Sequence, residues 1–198
     1  SFAGINKIKI NNFYKSLKKN LQKINFNGFI FFNLESPIIE KKNKPINLNK
    51  TLLETKSSNI RKVGNLNFML SNNHIFDYGL DGFKNTINVL KRKKIKYTGA
   101  GKNLFEASKP IIVGKKPKVG IFSLSYNPVA RKKKYGVFNL NSDSSIKIIN
   151  KIRTKKNLDK VICYCHSGLE LFPFPLYKDE KFYKKLIRSG VDLIIGSH

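Results

Sequence analysis

The sequence predicts an α/β fold, and two observations carry the prediction. Short apolar runs with strand character alternate along the chain with segments whose apolar residues recur at helical spacing. Four polar clusters, NLE (33–35), SNNH (71–74), CHSGLE (165–170) and GSH (196–198), each follow directly on an apolar run. In open α/β sheets, ligands and catalytic groups gather at the carboxyl ends of the strands. All three histidines of the chain, His74, His166 and His198, lie in these clusters.

The elements are assigned in chain order. FYKSLKKNLQKI (13–24) has helical spacing, and GFIFFNLE (28–35) is a buried strand running into a polar end. Residues 36–59 are polar and Lys/Asn-rich and are assigned to a long excursion. LNFML (66–70) is the next strand. Asp81 is placed as the cap of a helix over 82–94, whose basic tail suits a helix C-terminus. Residues 109–125 make two strands around a Gly/Pro turn. A helix over 144–156 precedes a strand over 159–168. A helix over 179–190 is closed by Gly190, and VDLIIGSH is a final strand.

With 198 residues, 40% of them hydrophobic and 12% aromatic, the chain is long and apolar enough for one globular domain. No apolar run approaches the ~18 residues of a membrane span, and no signal segment is legible. Net charge is +27, yet Arg occurs only at positions 61, 92, 131, 153 and 188. Arg is the residue of bidentate phosphate and base contacts, and no nucleic-acid-binding module is legible, which argues against nucleic acid as the partner. Two readings of the lysines stay open: a solvated surface shaped by compositional drift, or a surface that attracts a polyanion. Cys163 and Cys165, two apart in one strand, point to one face, too close along the strand for a disulfide and without a second pair for zinc. They are expected as buried small apolar residues.

Glu, Asn and several His together form the ligand types of a two-metal hydrolytic site, and they suit Mn, Zn or Fe. Two such ions clamp the oxygens of a phosphoryl or similar centre. Glu35, Asn73, His166 and His198 are the candidate metal ligands. His74 is the candidate general acid, with Asp77 holding its other ring nitrogen. Glu170 is placed behind His166 as its supporting carboxylate. Each residue alone has a structural explanation, such as a turn at Asn72-Asn73 or an Asx-turn at Asp77. Their convergence at four strand ends is what favours a site.

The stretches NLESP (33–37), NNHIFDYGLDGFKNTINVLKRKKIKYTGAG (72–101), EASKP (106–110), HSGLE (166–170) with Pro175, and RSGVDLIIGSH (188–198) resemble the CapA-type proteins of capsule synthesis and poly-γ-glutamate biosynthesis. The family pattern NNHxxDxGxxG followed by a helix and GAG is matched by Asn72, Asn73, His74, Asp77, Gly79, Gly82 and Gly99–Gly101. The resemblance implies a calcineurin-like metallophosphoesterase fold, a layered sandwich of sheets flanked by helices, as a single domain over residues 1–198. Glu35 looks like the carboxylate after the second strand, Asn73 and His74 like the Asn-His pair, His166 like the following metal histidine, and His198 like the first histidine of a closing His-x-His. Asn72 is taken as a supporting residue behind the ligands. Ser167 stands where the family often has Trp. The family's opening Gly-Asp and second closing His fall outside 1–198, so the domain is expected to be incomplete at both termini.

Three functions follow for comparison. One is a metal-dependent hydrolase acting in biosynthesis of an anionic surface polymer, with an anionic polymer or phosphate-containing substrate. A second is a non-catalytic polyanion-binding subunit of a capsule assembly system. Nucleic-acid binding ranks last. The resemblance also implies association with the cell envelope and with capsule-synthesis membrane proteins.

Overall fold

The computed structural model describes residues 7–39, 53–140 and 142–198, with side chains from residue 12 onward. It is a mixed α/β chain, as the alternation predicts, and its sheets and helices are consistent with a metallophosphoesterase-like fold. The chain divides into two compact units: residues 1–69 with 74–97, and residues 70–73 with 98–198.

The first unit opens with helix α1 (Lys7–Lys23). Strands β1 (Phe29–Asn33) and β4 (Asn65–Met69) pair in parallel, Asn33 opposite Met69, so both end at the same edge of their sheet. Strand β5 (Lys96–Thr98) completes the order β1-β4-β5. Helix α2 (Gly79–Arg92) buries Phe83, Thr86, Val89 and Leu90, a stripe at helical spacing. The placement of Asp81 as its cap is corrected here. Gly82 N–H already donates to Tyr78 O at 3.0 Å, so the helix is wound three residues earlier and Asp81 lies inside its first turn. Its charge still complements the amino end of the helix.

The polar excursion over 36–59 is partly structured, and its residues 40–52 lie outside those described. Strands β2 (Ile38–Ile39) and β3 (Thr55–Lys56) pair in parallel, and a 3₁₀ turn covers Ser57–Asn59. Ile38 N–H donates to Thr86 Oγ1 at 2.7 Å and Asn85 Nδ2 donates to Ile38 O at 2.8 Å. Strands this short have no legible periodicity, and side chains of α2 satisfy their backbone groups.

The second unit carries β6 (Ala100–Gly101), helix α3 (Leu104–Ala107), β7 (Ile111–Val113), β8 (Val119–Ser125), β9 (Gly136–Val137), helix α4 (Asp143–Lys156), β10 (Lys160–His166), helix α5 (Tyr177–Arg188) and β11 (Leu193–Ser197). The strands β11-β10-β8-β7 form one sheet. Its three strands β8, β10 and β11 run in parallel, with Ser125 opposite His166 and His166 opposite Ser197. The core packs Phe122, Leu124, Phe138, Leu140, Ile149, Val161, Cys163, Cys165, Phe182 and Leu186 together. Cys163 and Cys165 are free and buried, as expected of their alternation. Among the described residues no helix is long and apolar enough to cross a membrane.

Candidate metal centre

Residues 70–73 are seated in the second unit by backbone geometry. Leu70 N–H donates to Thr98 O at 2.9 Å, and Phe138 N–H donates to Gly99 O at 2.7 Å. Gly99 has φ +95°, and a Cβ there would stand 2.7 Å from the Cβ atoms of both Ser71 and Ser123. Only glycine lets the chain pass this close. Ser71 and Asn72 are wholly buried, and Asn73 follows them into solvent.

His166, the last residue of β10, is 2% exposed. Its Nε2 lies 2.8 Å from Asn73 Oδ1 and its Nδ1 3.2 Å from Ser197 Oγ. An amide oxygen only accepts, so in this arrangement Nε2–H donates to Asn73 and Nδ1 accepts from the Ser197 hydroxyl. Ser197 Oγ is in turn hydrogen-bonded to the Tyr164 hydroxyl. The result is a directed chain from Tyr164 through Ser197 and the imidazole to the Asn73 amide. The His198 ring stands 4.8 Å from the His166 ring, centroid to centroid, tilted by 48°, and is exposed. The loop leaving His166 is fastened twice: Ser167 N–H donates to Ser197 O at 2.9 Å, and Ser167 Oγ is hydrogen-bonded to Tyr183 Oη. Burial pushes the Tyr183 hydroxyl up to about 12.

These residues suit a divalent ion. Two ligand atoms of one ion, each at about 2.0–2.2 Å, stand roughly 3 Å apart at adjacent corners of its shell. Nε2 and Oδ1 already have that spacing, held now by one proton. The donor set of imidazole and neutral carbonyl is the borderline type that first-row metals accept.

His74 and Asp77 form a separate pair in the first unit. His74 Nδ1 lies 2.7 Å from Asp77 Oδ2, with the side chains 15% and 12% exposed. The same carboxyl oxygen accepts Leu53 N–H at 3.1 Å. Glu35 is half-buried just past β1, and its Oε2 accepts Asn33 Nδ2–H at 3.2 Å. Glu170 is exposed on the turn after β10.

The structure therefore gathers Asn73, His166 and His198, and joins His74 to Asp77. Sequence reading missed Ser197 and Tyr164. The signal was present, because Tyr164 and His166 share a face of β10 by the two-residue period. What the sequence lacked was the register that sets Ser197 opposite His166.

Residues 4–198 match the family model described as bacterial capsule synthesis protein PGA_cap. The capsule biosynthesis protein CapA of Bacillus anthracis is 30% identical over 183 residues, covering 86% of this chain and 44% of that protein. The PGA biosynthesis protein CapA of Bacillus subtilis (strain 168) is 27% identical over 179 residues, covering 86% and 47%. The chain thus spans about half the length of these relatives. With a match that runs through every strand and helix described above, the chain belongs to the bacterial capsule synthesis protein family PGA_cap.

Proposed function

We propose that the protein is a metal-dependent hydrolase of metallophosphoesterase type, acting in biosynthesis of an anionic capsule polymer of the poly-γ-glutamate kind. The pairing of the His166 and Asn73 ligand atoms at 2.8 Å is the observation that carries this reading. The names of the two relatives support the polymer class.

Asn73, His166 and His198 hold one divalent ion, and Glu35, placed past β1, is a further ligand of a two-ion centre of Mn, Zn or Fe. A bound ion supplies Lewis acidity to a phosphoryl-type group. To serve as a ligand, His166 must release its Nε2 proton and carry one on Nδ1. Ser197 Oγ is placed to accept that Nδ1–H, and its own hydroxyl proton then turns to Tyr164. This is the usual duty of the group behind a metal-binding histidine. His74 is the general acid. Asp77 accepts its Nδ1–H, which fixes the ring and leaves Nε2 to donate to a leaving group. Asn72 holds the backbone that presents Asn73, and Glu170 lends charge near the strand exit.

The test is metal analysis of the full-length protein, followed by hydrolysis of a generic phosphodiester with Mn or Zn. Stoichiometric metal and a rate that collapses in His74→Ala are expected. Metal-free protein that cannot be loaded would sink the hydrolase reading and leave a polyanion-binding subunit of a capsule assembly system, which the net charge of +27 favours.

A further inference from the structure

We infer that the hairpin Arg131–Lys134 is the docking point for the anionic polymer, and that it recognises carboxylates spaced along a flexible chain. This rests on the proposed role in anionic-polymer synthesis and adds the place where the polymer is gripped.

The hairpin is built as a rigid finger. Arg131 N–H donates to Lys134 O at 3.1 Å and Lys134 N–H to Arg131 O at 3.2 Å, so Lys132 and Lys133 form its tip. Below the tip, Ala130 N–H donates to Val137 O and Val137 N–H to Pro128 O. Leu104 N–H, in the first turn of α3, donates to Arg131 O at 3.0 Å. At the base, a Cβ on Gly136 would stand 2.3 Å from Ala130 N and 2.4 Å from Val129 C. The two limbs are therefore in backbone contact, and Val137 and Phe138 are wholly buried beneath them.

Arg131, Lys132, Lys133 and Lys134 are all exposed, and no ion pair of theirs is found among the described residues. Among the described residues some other basic groups of this unit meet acids, Lys102 with Glu106, Lys184 with Glu180, Lys185 with Asp143, and Arg153 and Lys160 with Asp192, and others do not; the hairpin differs in setting four such cations in succession on one turn. Four uncompensated charges on one tight turn repel each other and make a focus of positive potential. Because the turn is already ordered, a polymer pays only for its own ordering on binding. The hairpin follows β8, whose last residue Ser125 stands opposite His166, so it leaves from the sheet edge that carries the histidines. Three of the four cations are lysines, compact hydrated charges that meet carboxylates one at a time, whereas the bidentate contacts by which duplex bases are read favour planar Arg forks.

The test is binding of labelled poly-γ-glutamate to full-length protein by fluorescence anisotropy. The variant K132Q/K133Q/K134Q is compared with K115Q/K116Q/K155Q, which removes the same charge from exposed lysines at the opposite edge of the sheet. At low salt the hairpin variant is expected to lose about ten-fold or more in affinity and the control less than about two-fold, a gap that closes near about 0.5 M salt. Equal losses in both variants overturn the inference, because net charge alone would then explain binding. So does absence of binding by the unsubstituted protein. Duplex DNA bound as tightly, with the same dependence on the hairpin, overturns the carboxylate assignment. Metal content separates this from the hydrolase reading: His166→Ala is expected to lose metal and keep polymer binding, and the hairpin variant the reverse.

Discussion

Two histidines of this chain have unlike partners. His74 meets a carboxylate, 2.7 Å away at Asp77, and that carboxylate is itself fixed by Leu53 N–H. His166 has neutral hydrogen-bond partners at both ring nitrogens, the Asn73 amide and the Ser197 hydroxyl. A carboxylate only accepts, so it ties the proton to Nδ1 and fixes the orientation of the other nitrogen. A hydroxyl both gives and accepts, so Ser197 keeps its bond to Nδ1 in either tautomer of the His166 ring, while the Asn73 oxygen is bonded only when Nε2 carries the proton. The lesson is that the group behind a histidine fixes where its proton sits, while the neighbours of the other nitrogen decide what that nitrogen can do.

Substitutions that exchange these roles test the contrast. The largest effect is expected for His166→Ala: loss of metal measured by elemental analysis, and loss of hydrolysis with it. Retained stoichiometric metal would break the comparison at its root. His74→Ala is expected to lower kcat about 10²–10⁴-fold, the usual worth of a positioned acid, with metal content unchanged. If metal is lost as well, His74 is a ligand and the two histidines do not differ in kind. Ser197→Ala is expected to weaken metal affinity about 10–100-fold, as removal of a group orienting a metal ligand does. Ser197→Thr, which keeps the hydroxyl, should restore most of it.

The smallest expected effect concerns a carboxylate that lacks what Asp77 has. Asp179, in the first turn of α5, is wholly buried, and neither oxygen finds a hydrogen-bond partner among the described residues. Burial pushes its carboxyl above the ordinary value of 3.8. The folded chain then holds a proton that the unfolded chain releases as pH rises past that value, so this group lowers stability with rising pH. Asp179→Asn is expected to raise Tm at pH 7 by about 2–4 °C, the shift that ~1 kcal/mol produces in a chain of this size. The gain should vanish below the ordinary carboxylate range. A Tm difference that does not change with pH would place the effect outside the carboxyl's ionisation.

The longer elements were legible because their patterns were. α4, α5 and β10 fall within two residues of their expected bounds, and β8 ends where the pair of strands over 109–125 was expected to end, since each has a full period of apolar spacing or an unbroken apolar run. The two-residue strands β2, β3, β6 and β9 left no such trace, being fixed by partners distant in sequence. In the candidate site, His74 with Asp77 was legible as a local pair three residues apart. The meeting of Asn73 with His166 rested on strand ends sharing an edge, and Ser197 depended on register between two strands. Asp81 shows the converse failure: a good capping residue was overruled by a helix that began at Gly79.

The alternation of β10 has a consequence for which donor atoms the proposed metal centre can offer. Tyr164 and His166 share one face of the strand, while Cys163 and Cys165 point into the core beside Phe182 and Leu186. Burial pushes the Cys163 thiol up to about 12 and that of Cys165 well above its usual range, so neither offers sulfur as an anion. Soft ions such as copper(I) seek thiolate and gain most of their affinity from it. Two sulfurs lie within three residues of His166, yet the pleat turns both away, leaving nitrogen and oxygen as the donors. A one-residue slip of β10 against its neighbours would reverse this, bringing sulfur to the histidine's face and sending the imidazole into the core. The register of a single strand thereby keeps sulfur away from the proposed metal centre.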